Sequence, residues 1–213
     1  MDRMDANWFF QGAGDLVPLN VWVPEHTIDQ ARELHNKQSI DGRTEVIKMS
    51  RNEQSTDDHN SNKYGGIDLK QDCIPNEWGI PPTAKTAGSL TYNTGDYLYP
   101  HRDKWGMVNP DGTFKARKSR NGVRLFNFLN KTSPTEFHFV YDGKITVLEE
   151  RRWYAVNTQR VHYGFSFVDE VFHLGCELRF DDDVVSASSN FLLSNMEYQQ
   201  PFHDRKGVDC TRN

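Results

Sequence analysis

Between Ser89 and Phe180 the chain passes through eight short β-prone runs, with turn signals between them and no helical periodicity. The runs are Ser89 to Tyr92, Asp96 to Tyr99, Val123 to Leu129, Glu136 to Tyr141, Lys144 to Leu148, Arg152 to Val156, Val161 to Phe167 and Val171 to Phe180. Asn93-Thr94-Gly95, Asp111-Gly112, Asn121-Gly122 and Asp142-Gly143 supply turns, and the last, between two runs, marks a tight hairpin. Strands this short are stable only when several close on one another over a shared core, so this half of the chain must be a sandwich or a barrel.

The flanks are less regular. Asn20 to Pro24 reads as a short strand, and Thr27 to Asn36 as a short helix capped by Thr27, with Ile28, Ala31 and Leu34 on one face. Residues 50–66 hold almost nothing apolar and read as an exposed, mobile loop. Cys73 to Pro82, with three prolines, reads as irregular. After Phe180, Asp181-Asp182-Asp183 reads as a solvated turn, followed by the Ser-rich stretch Ser186 to Asn190, a short apolar piece (Phe191 to Leu193) and a polar end.

At 213 residues the chain is sized for one domain, and its 13 Phe, 8 Tyr and 5 Trp supply the bulk of a core. A formal net charge of −5 and a pI near 5.9 argue against a nucleic-acid-coating protein. The basic cluster Lys115, Arg117, Lys118 and Arg120 reads as a solvated loop face. No run of 18 apolar residues is present, and Met1 to Asp5 lacks the apolar stretch of a signal peptide, so neither a membrane span nor secretion is expected. Cys73, Cys176 and Cys210 are odd in number and form no CxxC, which excludes a disulfide scaffold or zinc ribbon and fits a reducing cytoplasm. Cys176, within a β-prone run, reads as a small buried hydrophobe.

The candidate chemistry lies in His101-Arg102-Asp103 and, 59 residues beyond the aspartate, His162. Two imidazoles and one carboxylate on one face of a metal leave open positions, the facial arrangement of non-haem Fe(II) oxygenases. In an extended segment positions 101 and 103 project to the same side, so a single bend presents both. A third ligand must return from a strand folded back across the barrel. An HxD tripeptide arises by chance in a chain of this composition roughly as often as not. What gives this one weight is its place at the head of the β-rich half, with a histidine at the far end of the hairpin series.

Several ordered patterns resemble the aspartyl/asparaginyl β-hydroxylase family, with its free-proline hydroxylase relatives, in the Fe(II)/2-oxoglutarate oxygenase superfamily. Thr94-Gly95-Asp96-Tyr97-Leu98-Tyr99-Pro100-His101-Arg102-Asp103 is similar to that family's glycine-containing turn followed by proline and HxD. Val123 to Leu129 resembles its arginine-bearing strand, Phe137 to Val147 its next hairpin, and Glu150 to Thr158 its "G-E-x-W-Y-x-x-(D/N)-T" segment, with His162 where its distal ligand stands. The match covers about 90 of the 213 residues. The chain departs from the pattern in a long insertion, Trp105 to Gly122, and in Glu149 where the family has glycine. It departs again at Val171-Phe172-His173, where the family places an arginine that holds the far carboxylate of 2-oxoglutarate.

The resemblance implies a mainly β fold, a double-stranded β-helix (jelly roll, cupin-like) from about 86 to 182. Residues 1–85 would support it and 183–213 extend it, within one domain. It implies Fe(II) held by His101, Asp103 and His162, with 2-oxoglutarate as co-substrate. O2 would be consumed, an unactivated C–H of an amino acid or polypeptide side chain hydroxylated, and succinate and CO2 released. For the co-substrate's carboxylate the candidates are Arg124, His173 and Arg179. Trp105, Trp153, Tyr97 and Tyr99 read first as core aromatics, with a pocket-lining role as the alternative. Two rival readings are a cupin-type metalloenzyme that uses no 2-oxoglutarate, and a jelly-roll binding or structural module.

Overall fold

All eight runs form strands, joined by further strands and helices. The computed structural model describes residues 6–40, 65–70, 76–81, 84–102, 106–108, 114–116, 122–180 and 185–197. In chain order the elements are α1 (Ala6–Ala13), β1 (Leu16–Trp22), α2 (Thr27–Ile40), β2 (Gly65–Lys70), a 3-10 turn (Asn76–Trp78), β3 (Ala84–Tyr92), β4 (Tyr97–His101), β5 (Gly106–Val108), β6 (Phe114–Ala116), β7 (Gly122–Phe128), β8 (Phe137–Tyr141), β9 (Lys144–Ile145), β10 (Arg152–Val156), β11 (His162–Ser166), β12 (Val171–Arg179) and α3 (Val185–Asn195).

Two antiparallel sheets face each other as a mainly β jelly roll of the cupin type. The larger has the order β1-β10-β7-β12-β3-β2 and the smaller β4-β11-β8-β9, while β5 and β6 pair by themselves. Alternation along the strands sorts side chains to two cores. Phe126, Phe128, Tyr154, Val156 and Val171 of the larger sheet meet Phe137, Phe139 and Tyr141 of the smaller in an aromatic inner core. The opposite face of the larger sheet carries Val123, Leu125, Trp153, Leu174, Cys176 and Leu178 against Phe9, Ala31, Trp78 and Leu192 from the flanking segments. The N-terminal segments and α3 thus cover the outside of the larger sheet. Trp153, fully buried there, belongs to this outer core and lines no pocket between the sheets.

The Asp142-Gly143 hairpin forms as its residues require, with φ of 47° and 77° at the two central positions, between β8 and β9. Elsewhere the structure departs from the expected boundaries. The first strand begins at Leu16 and includes Pro18, which is tolerated because β1 is an edge strand. Helix α2 begins at Thr27 and runs on to Ile40, but Thr27 does not cap it, because its hydroxyl is turned into the protein and makes no hydrogen bond. The Ser-rich stretch and the apolar piece after it form α3, which seats Leu192 in the outer core. Asn76–Trp78 makes a 3-10 turn in the stretch read as irregular, burying Trp78. Of the segment 50–66, only Gly65 and Gly66 lie within the described residues, as the start of β2. The Asp181–Asp183 turn and most of the Trp105–Gly122 insertion lie outside the described residues, except for β5, β6 and Gly122.

Candidate metal centre

His101 ends β4 and His162 begins β11, and the two are register partners across that antiparallel pair. Their ring centroids stand 4.3 Å apart, inclined at 51°. The pairing is irregular between these histidines and the Leu98–Gly164 pair, so β4 carries one extra residue before His101. Pro100 lies within the irregular stretch. It has no N–H for the ladder and is accommodated because β4 is the edge of its sheet. Leu98 packs on the inner core, and the shift in register turns His101 inward as well. Asp103 lies outside the described residues.

His162 is buried, and its Nδ1 lies 3.0 Å from the carbonyl oxygen of Arg160. A carbonyl only accepts, so Nδ1 carries the proton and Nε2 keeps the lone pair. That is the tautomer a metal ligand needs, with the second nitrogen held by a backbone oxygen. Two imidazoles are donors of the kind that divalent ions of the first transition row take. Among the described residues no group of three His, Cys, Asp or Glu side chains is placed to hold a metal.

The candidates for the acid anchor lie on the wall opposite this pair. Arg124 on β7 shares the parity of Phe126 and Phe128 and so faces inward. His173 on β12 packs its ring 5.0 Å from Phe126 and 4.7 Å from Phe128, and its Nδ1 is buried without a hydrogen-bond partner. Burial, followed by the nearby positive charge of Arg124, holds its pKa down to about 3. At neutral pH His173 is a neutral imidazole and presents no cation to a carboxylate. Arg179 aligns its backbone with Gly122 at the far end of β12.

Two further residues, one on each wall, carry no sequence motif. Glu177 is fully buried on β12, opposite Arg124 in the register and on the same face as His173. It follows His173 at an interval of four along β12, and that shared parity is the signal that could have marked it. Gly164 on β11 stands where a Cβ would come within 2.7 Å of the Phe137 ring. The aromatic inner core closes tightly beneath His162.

No protein-family model matches the chain, and no curated protein matches it. Among solved structures, KdgF from Halomonas sp. is similar over 61% of this chain and 88% of its own, at 10% identity and a TM-score of 0.35. An RmlC-like cupin from Desulfovibrio desulfuricans matches 60% of this chain and 92% of its own, at 13% identity and a TM-score of 0.34. Salicylate 1,2-dioxygenase from Pseudoaminobacter salicylatoxidans matches 76% of this chain at 13% identity and a TM-score of 0.35, with only 35% of its own length covered.

Proposed function

We propose that this chain is an Fe(II)- and 2-oxoglutarate-dependent dioxygenase. It would hydroxylate an unactivated C–H of an amino acid or polypeptide side chain, using O2 and releasing succinate and CO2. The observation that supports this reading best is the pairing of His101 with His162 on the inner face, with the proton of His162 committed to a backbone carbonyl. Asp103, two residues beyond His101, would complete the ligand set and supply negative charge. Bound iron supplies the activation of O2 that side chains cannot perform. The chain's own share is to fix the imidazole lone pairs, to keep water from the centre with Phe126, Phe139 and Tyr141, and to hold an acid. For the last, Arg124 would offer a planar guanidinium, and His173 one neutral hydrogen bond.

A second reading is a metalloenzyme of the same fold that uses no 2-oxoglutarate. It is favoured by the neutral His173, standing where the resemblance implies an arginine. Anaerobic titration with Fe(II) and then 2-oxoglutarate separates the readings. The weak visible charge-transfer band of a chelated 2-oxo acid supports the first, and iron binding without that band supports the second. No iron binding at all would leave a jelly-roll binding or structural module.

A further inference from the structure

The carbonyl that fixes His162 belongs to a loop held by one carboxylate from the other end of the chain. Asp15, between α1 and β1, takes both Arg160 and Asn157. Its Oδ2 accepts from Arg160 Nε at 3.0 Å and pairs with the guanidinium's second nitrogen at 2.9 Å, while its Oδ1 accepts from Asn157 Nδ2 at 2.8 Å. The backbone repeats the tie, with Asn157 N–H donating to the Asp15 carbonyl at 2.8 Å and Arg160 N–H to the Asn157 carbonyl at 3.0 Å. Tyr141, opposite His162 in the β8–β11 register, places its hydroxyl 2.8 Å from both the Asp15 and the Asn157 carbonyl oxygens, and its one proton serves the two. Apart from the Tyr141 contact with the Asp15 carbonyl, these bonds all reach the turn from Asn157 to Arg160, and the Arg160 carbonyl at its end points at His162 Nδ1.

We infer that Asp15 is a positioning residue for His162, acting through the Asn157–Arg160 turn to fix the tautomer and direction of the ligand imidazole. The inference rests on His162 being a metal ligand, as proposed above. A carbonyl on a loose turn would let the imidazole exchange its proton between nitrogens, and the Nε2–H form has no lone pair to give at that position. An ion pair half-exposed to solvent adds little to stability by itself, so its effect should be read on the ring rather than on the melting curve.

The test uses Asp15→Ala, Arg160→Ala and the double variant, with two readouts. The first is the ¹⁵N shifts of the His162 ring in the metal-free protein. The second is the dissociation constant for Co(II), followed by its visible d–d spectrum. The parent is expected to show a single Nδ1–H tautomer. Each single variant should show mixed tautomers and Co(II) binding weakened about tenfold, the lower end for loss of an outer-shell partner. The double variant should lose no more than Asp15→Ala alone, because the link removed by Arg160→Ala is one that Asp15→Ala already breaks. Arg160→Ala leaves the backbone carbonyl and alters only a half-exposed side chain, so it keeps the test decisive if Asp15→Ala fails to fold. An unchanged tautomer and Co(II) constant in Arg160→Ala, or additive losses in the double variant, would overturn the inference. A parent that binds no Co(II) would overturn the metal reading instead, while the tautomer, read without metal, still decides whether Asp15 sets the ring.

Discussion

His101 faces His162 only because β4 carries one residue more than its partner strand. In the register set by Leu98↔Gly164 and Phe165↔Tyr97, His101 would lie opposite Val161 and point away from the inner core. The bulge between Leu98 and His101 advances it by one position, onto the face where His162 lies. A proline beside a proposed ligand thus has a geometric use: it breaks the ladder at the edge strand, where an interruption is least costly.

The carboxylate completing the proposed set is tested by replacing it. Asp103→Ala should leave the circular dichroism and melting curve of the parent in place and abolish stoichiometric Fe(II) binding, since two imidazoles alone hold the ion weakly and without charge compensation. Iron bound as tightly by the variant as by the parent would show that Asp103 is no ligand.

His173 makes a prediction about acid. Its folded pKa of about 3 lies below the ~6.5 of an unfolded histidine. Between those values the unfolded chain binds a proton that the folded chain does not, so stability is complete above the upper value and falls as the pH drops toward the lower. From pH 7 to pH 5 this one group should remove about 2 kcal/mol. In urea unfolding at the two pH values, His173→Leu should lose about that much less than the parent. Equal losses would assign the titration to other groups.

Gly164 predicts a packing effect. A Cβ there would sit 2.7 Å from Phe137 Cζ, inside an aromatic core that Phe139 and Tyr141 continue. Gly164→Ala should therefore destabilise by ~1–3 kcal/mol through overpacking, read as a lowered urea midpoint. Because Gly164 shares a strand and a face with His162, Co(II) binding should weaken along with it. A midpoint equal to the parent's would mean that Phe137 gives way freely.

Much of the fold was legible because its signals are local. A run rich in β-prone residues such as Val123 to Leu129, and an Asp-Gly pair between two such runs, depend only on near neighbours along the chain. The approach of His162 to His101 was legible for a similar reason, since hairpins had to bring position 162 back. The bulge before His101 was not, because parity across a strand pair depends on the partner as well as on the strand. Helix α3 was hidden by serines, which favour caps and turns over helix interiors, and is held by the burial of Leu192. Asp15 had no motif at all. Its importance appears only when the turn at Asn157, 142 residues away, folds against it.

Arg124 carries the last prediction. A dicarboxylic co-substrate brings a charge into the space between two sheets, where an anion without a cation is expensive. His173 is neutral there, so the anchoring charge would fall to the guanidinium of Arg124. The register neighbour of Arg124 is Glu177, whose side chain is fully buried on the same wall. The incoming acid has to be met by directed N–H donors as well as by charge, which a planar guanidinium supplies and an ammonium does not. Arg124→Ala should raise the apparent constant for 2-oxoglutarate at least tenfold, the loss of ~1.4 kcal/mol or more expected for a charge-assisted contact. Arg124→Lys should recover only part of it. Unchanged constants in Arg124→Ala and in His173→Ala together would mean that the acid binds elsewhere or that this site takes none, and the reading without 2-oxoglutarate would then stand.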